Sequence, residues 1–198
     1  MDINEIYKKR KKEIKERLKD FDKVGDSSQK RLFKEMAFCL CTPQSKAKLC
    51  WRSVENMRQD LFTADQKMLM NHMKGVRFHV NKSRYILEAR DNFFRNKIPE
   101  NNKEAREFLV DNFKGLGMKE ASHFLRNVGK GKDIAILDRH ILKNLAKYGV
   151  ISEVPETLTK KKYLDIEKKM REFSKKVKIP MEELDLLFWA EETGEVFK

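Results

Sequence analysis

The chain has 198 residues, of which 40% are hydrophobic and 38% charged, with a formal net charge of +13. That is enough apolar material for one domain or two small lobes, and the excess of lysine and arginine favours a polyanionic partner. No apolar run approaches the roughly 18 residues of a membrane span, the start of the chain lacks a secretory signal pattern, and Cys39, Cys41 and Cys50 read as reduced core thiols of a cytoplasmic protein rather than as a metal cluster.

Nearly the whole chain reads as helix, because glycine and proline are sparse and strand-like alternation is absent. Ile3, Ile6, Tyr7, Ile14, Leu18 and Phe21 line one face of a charged first helix. Gly25-Asp-Ser-Ser28 breaks it, and Ser27 or Ser28 caps the next. That second helix, Gln29 to Cys41, is apolar nearly all round toward its end and should be central and buried. Pro43 stops it, since the residue before a proline avoids the helical region. A third helix begins near Ser45 with Leu49, Trp51 and Val54, and a fourth covers about Ala64 to Met73. Gly75 to Val80 is a connector before a helix from about Asn81 to Arg95. Two helices follow, Asn102 to Phe113 and Met118 to Val128, then a flexible basic loop, Gly129-Lys-Gly-Lys132. A further helix starts at Asp138, and helices near Lys160–Lys176 and Met181–Thr193 end the fold. The expected fold class is all-α: a single unit over 1–198, two helical lobes with a cleft between them.

The stretch Phe113-Lys-Gly-Leu-Gly-Met-Lys119 carries most of the functional information. Gly115 and Gly117 allow a tight turn and close approach of a ligand. The helix that follows starts with amides lacking internal partners, and its dipole favours an anion there. The pattern predicts a helix-hairpin-helix grip on a phosphate backbone, spanning about 102–128, whose turn carbonyls could hold a monovalent cation. A backbone grip of this kind carries no sequence information.

Lys119 falls in the first turn of the second hairpin helix. The dipole there disfavours a cation and so favours the neutral, nucleophilic amine. Asp138, nineteen residues on, supplies a carboxylate that can stabilise developing positive charge on a sugar and move protons. As an N-cap it would also be rigid.

These residues resemble the helix-hairpin-helix superfamily of DNA glycosylases, which includes endonuclease III and 8-oxoguanine DNA glycosylase. The resemblance implies that Lys119 is the Schiff-base nucleophile, Asp138 its partner, and Gln44, after the Met36-Ala-Phe-Cys-Leu-Cys-Thr-Pro43 segment, a DNA-inserting residue. The four C-terminal cysteines of endonuclease III-like enzymes are missing, so no iron–sulfur cluster and no required cofactor are expected. There is no room for an N-terminal β domain. The ending Trp189…Thr193-Gly-Glu-Val-Phe-Lys198 resembles the compact archaeal-type 8-oxoguanine DNA glycosylase/AP lyase, a match running from about residue 29 to the last.

The implied partner is damaged double-stranded DNA, bound by a monomer without a membrane. The damaged base must be extruded to be reached, and 8-oxoguanine differs from guanine by a C8 carbonyl and an N7 donor. Lys198 offers an α-carboxylate as acceptor for that donor, or its ammonium to a carbonyl. Trp189 and, more weakly, Phe78 are candidates to stack on the base, with Asp185 or Glu183 as polar neighbours. Gly115, Gly117, Gln44 and Arg84 are expected to touch DNA, and Lys82, Lys130, Lys132 and Arg139 flank the cleft as further phosphate contacts. His140 is expected to be structural. Two alternatives stay open: a non-catalytic helix-hairpin-helix DNA-binding module, and a glycosylase/lyase of the same superfamily for another oxidised base.

Overall fold

A computed structural model describes residues 2–198, and among these it contains helices and no strand. The first, α1 (Ile3–Gly25), is started by Asp2, whose side chain accepts from the Asn4 amide. Its apolar stripe, with Ile3, Tyr7, Ile14 and Phe21 buried, turns away from its sequence neighbours. It packs on α11 (Met181–Thr193), where the Tyr7 hydroxyl donates to Glu183. The N-terminal helix therefore belongs to the C-terminal half of the fold.

One lobe forms around α2 (Gln29–Cys41), capped by Ser28. Packed about it are α3 (Ala47–Met57), α4 (Asp60–Thr63), α5 (Gln66–His72), α6 (His79–Arg95), α7 (Asn102–Asn112) and α8 (Met118–Asn127). Phe33, Phe93, Phe113 and Phe124 meet in its centre as an edge-on and tilted cluster. Each such ring contributes on the order of 1.5–3 kcal/mol by leaving water, and these contacts fix α8 and hence the hairpin. The other lobe joins α1 and α11 to α9 (Arg139–Lys147) and α10 (Lys160–Val177) through Ile14, Leu145, Met170 and Leu187.

A buried ion pair ties the lobes. Arg106 of α7 grips Glu167 of α10 through two nitrogens, at 2.5 and 3.1 Å. Glu167 also accepts from the Ala135 amide at 2.8 Å, and Tyr163 of α10 bonds both the Ala135 carbonyl and the Leu137 amide. The extended segment 134–137 is thereby pinned, and it delivers Asp138.

Three local expectations need correction. The helix expected over Ala64 to Met73 is α5, Gln66–His72, started by Asp65, which accepts from the Met68 amide at 2.9 Å, and a separate turn of helix, α4, that was not expected precedes it. Helix α6 begins at His79, two residues early, with Phe78 in the left-handed region at φ 58°. The loop after α8 is not a loose connector: its Gly129 and Lys130 amides bond the Arg126 and Leu125 carbonyls, and Gly131 is buried against Arg126. No described helix is long and apolar enough to cross a membrane.

Candidate active site

Between the lobes lies a cavity of about 1020 Å³. Its wall comes from five places: the turn after α2 with the start of α3 (Thr42 to Lys48), Arg77 ahead of α6, the start of α8 (Lys119, Glu120, His123), the start of α9 (Leu137 to His140), and the C-terminal stretch with Trp189, Glu195 and Lys198. Residues far apart in sequence meet here because α1 draws the chain ends onto the second lobe while α8 bridges both.

Lys119 is partly buried in the first turn of α8, its Nζ 3.6 Å from Glu120 Oε1. The other Glu120 oxygen accepts from the Gly117 amide at 3.3 Å, so Glu120 both closes the helix start and stands beside the amine. The next amides of the first turn have no carbonyl four residues back in the helix. Gly115 sits at φ 93°, and a Cβ there would lie 2.5 Å from a Tyr85 ring carbon. Glycine is required twice over, by conformation and by space. The Tyr85 ring is flanked by the Arg84 guanidinium at 5.7 Å and the Lys114 ammonium at 5.9 Å, so the hairpin face is basic. Arg84, Gly115 and Gly117 lie on this face and not in the cavity wall. The sequence reading missed Lys114, although it sits inside the hairpin motif.

Asp138 is the N-cap of α9, its Oδ1 accepting from the Ile141 amide at 2.9 Å. One carboxylate oxygen is thus fixed while the residue lines the cavity. Behind it Asp185 of α11 pairs with Arg126 of α8 at 3.8 Å. Burial pushes the Asp185 carboxyl up to about 6; Arg126 opposes this and the Asp138 charge adds to it. Glu183, the other acidic candidate, is taken by Tyr7.

At the far end Trp189 meets His140 edge-on at 6.2 Å and Phe197 at 6.5 Å. Lys198 is buried, and its ammonium is fully engaged. It donates to both oxygens of Glu35 at 2.6 and 2.8 Å and lies 3.7 Å from the centre of the Trp51 ring. Glu35, wholly buried in α2, also takes Arg31 at 2.9 Å and Asn127 at 3.0 Å. Burial pushes the Lys198 ammonium below the ordinary lysine range, and Glu35 pulls it back. Lys198 also lines the cavity. Next to it His123 is buried against Phe38, with neither ring nitrogen in a well-formed hydrogen bond. Burial, then the charges of Arg126, Lys119 and Lys198, hold its pKa well below the usual histidine value, so the ring is neutral.

The structure thus brings Lys119, Asp138, Gln44, Trp189 and Lys198 to one cavity, along with Arg139. It does not bring Phe78 there. That ring is 53% exposed, stacked under the guanidinium of Arg77, because the left-handed backbone at 78 places it outside the wall. Lys130 pairs with Glu100, and Lys132 lies by Asn102 and Arg171, both away from the cleft. Lys82 is buried and faces protein carbonyls, not phosphate. His140, expected to be structural, forms part of the cavity wall. His123 and Glu35 were missed; their spacing of four from Lys119 and from Arg31 was visible, but a helical face names no ligand. All three cysteines are buried and unbridged, and burial raises each thiol, that of Cys50 to about 11.

The family model for 8-oxoguanine DNA glycosylase matches residues 14–179. A protein of Fusobacterium nucleatum named 8-oxoguanine DNA glycosylase/AP lyase is 46% identical over 210 residues, covering 100% of this chain and 96% of its own length. The chain belongs to the 8-oxoguanine DNA glycosylase family. A family member of the same name from Methanocaldococcus jannaschii is 40% identical, covering 99% of both chains. The crystal structure of the Methanocaldococcus jannaschii 8-oxoguanine glycosylase/lyase with a 15mer DNA containing 8-oxoguanine superposes with a TM-score of 0.92 at 38% identity, over 99% of each chain. The Thermotoga maritima enzyme gives 0.91 at 31% identity. Likeness to the family starts earlier than residue 29: the relatives match α1 as well, which packs on the C-terminal lobe.

Proposed function

We propose that this chain removes 8-oxoguanine from duplex DNA and then cuts the strand at the resulting abasic site. The observation that carries the reading is the single cavity holding a first-turn lysine, a helix-capping aspartate, an aromatic ring and the buried Lys198, in a chain of this family. The Lys119 amine attacks the anomeric carbon; a C–N bond forms as the glycosidic bond breaks, and the base leaves with that electron pair and takes up a proton. Loss of the amine proton and ring opening give an imine. The imine acidifies the neighbouring sugar carbon, and loss of a proton there expels the 3′ phosphate. Asp138, with one oxygen held by the helix start, supports the positive charge that develops on the sugar.

Trp189 serves as a stacking surface for the extruded base. The main-chain oxygen of Lys198 accepts from N7–H of 8-oxoguanine; guanine has a lone pair at that position, so the acceptor is left unpaired and guanine is penalised. The hairpin amides, with Arg84 and Lys114 beside them, hold the phosphate backbone, and the turn carbonyls take a monovalent cation. Gln44 occupies the space vacated in the duplex.

Borohydride trapping on duplexes carrying single damaged bases tests this. A covalent protein–DNA adduct is expected on the 8-oxoguanine duplex and not with Lys119→Gln, which should still bind the duplex. An adduct that persists in Lys119→Gln removes this lysine from the chemistry, and no adduct in the native protein overturns the imine route.

A further inference from the structure

We infer that Lys82 is a positioning residue for the Gln44 turn, a buried cation that locks the backbone from which Gln44 enters DNA. The inference rests on the reading of Gln44 given above and goes beyond it to the device that holds this side chain out.

The turn is under conformational load. Thr42 accepts from the Ser45 amide at 3.0 Å, closing a four-residue turn with Pro43 and Gln44 in the middle. Gln44 has φ 54°, a region that glycine or asparagine normally fills at this position of a turn and that other side chains resist. Gln44 nevertheless is exposed on the cavity wall.

Lys82 accounts for its persistence. Lys82, on α6, is 4% exposed. It donates to the Cys41 carbonyl at 2.7 Å, the Pro43 carbonyl at 2.7 Å and the Ser45 hydroxyl at 3.1 Å. An ammonium has three donors, and all three are spent on the end of α2 and on the residues flanking Gln44. Ser45 is fixed a second time, since its hydroxyl accepts from the Arg77 amide at 3.0 Å. The backbone on either side of Gln44 is therefore tied down while Gln44 itself stays free to reach out.

All three of these acceptors are uncharged, and burial lowers the Lys82 pKa. A helix end or a turn can be satisfied more cheaply by a hydroxyl or an amide. A desolvated cation is a demanding way to do it, retained here where a strained, exposed turn must keep one geometry. A methionine at 82 would fill the space and make none of the three bonds.

The test is a double-mutant cycle on the full chain with two substrates: an 8-oxoguanine duplex, where the base must be extruded, and a single strand with a ready-made abasic site, where nothing need be filled. Lys82→Met should slow excision from the duplex about tenfold, as should Gln44→Ala, because both remove the filling of the gap. The pair together should be no slower than Gln44→Ala alone to within about twofold, since the two act as one unit. Cleavage of the abasic single strand by Lys82→Met should stay within about threefold of the native rate. Losses that multiply, equal losses on both substrates, or native duplex excision by Lys82→Met would each overturn the inference. If Lys82→Met fails to fold, Ser45→Ala, which removes one acceptor and the link to Arg77, enters the same cycle with the same expected outcomes. Borohydride trapping by the native protein reports the excision reading separately, so a failed cycle beside successful trapping rejects only the role of Lys82.

Discussion

Replacing Glu35 with glutamine keeps the shape of the side chain and removes one charge. The native carboxylate is wholly buried and holds Lys198, Arg31 and Asn127 together. Breaking a buried pair by removing one partner costs about 3–5 kcal/mol, chiefly because the other charge is left desolvated. Arg31 keeps 32% of its side chain exposed and can turn to water, so the burden falls on Lys198 and the lower end applies. A loss of ~3 kcal/mol in a chain of this size lowers the melting temperature by about 6–12 °C. It also frees the end of the chain that presents Lys198 to the cavity. Preference for 8-oxoguanine over guanine should fall by about tenfold or more, which is ~1.4 kcal/mol of discrimination, while cleavage of ready-made abasic sites stays nearly native. Melting followed by circular dichroism and competitive excision on paired duplexes measure both effects. If Glu35→Gln melts within about 2 °C of the native protein, the burial argument fails. If it melts lower and discriminates as before, Lys198 does not read the base through this anchor.

Asp138→Asn retains a good N-cap, so stability should change by less than about 1 kcal/mol while strand cleavage falls by about a hundredfold or more; a normal rate would remove the carboxylate from the reaction. Gly115→Ala puts a Cβ 2.5 Å from the Tyr85 ring at φ 93°, so duplex affinity should drop and lose part of its salt dependence, as titrations at two ionic strengths would reveal. Asp185, raised from 3.8 to about 6, binds its proton more tightly in the folded protein. Its contribution is therefore favourable at low pH and is lost as pH rises through that window, by ~3 kcal/mol. Relative to Asp185→Asn, the native protein should lose that much stability across the window in urea titrations; a pH-independent difference between the two would show that Asp185 does not titrate there.

Much of the fold was legible in local pattern. Gln29 to Cys41 announced a buried central helix, Ser27 or Ser28 its start and Pro43 its end, because caps and prolines act over a few residues, and the structure chose Ser28. The short α4 and the early start of α6 were not legible. Asp65 restarts the chain as α5 by a side-chain bond to the Met68 amide and so leaves 60–63 as a separate turn, and the left-handed Phe78 decides the start of α6; both patterns also fit a continuous helix or a longer connector. Lys82, Lys130 and Lys132 all read as basic residues near a cleft, yet one is buried, one is paired with Glu100 and one lies elsewhere, since a lysine's four-carbon stem leaves its charge undetermined by its place in the chain.

By itself the sequence determined what each short segment can do: the glycines of the hairpin, a lysine in a first turn, an aspartate at a helix start. These depend on backbone conformation within one turn, which neighbours along the chain dictate. Only the tertiary structure decided which of them share a cavity, that α1 closes on α11, that Lys198 spends its ammonium on Glu35, and that Lys82 serves the Gln44 turn. Those outcomes depend on which charges lose water together, and desolvation is a property of packing between segments far apart in the chain.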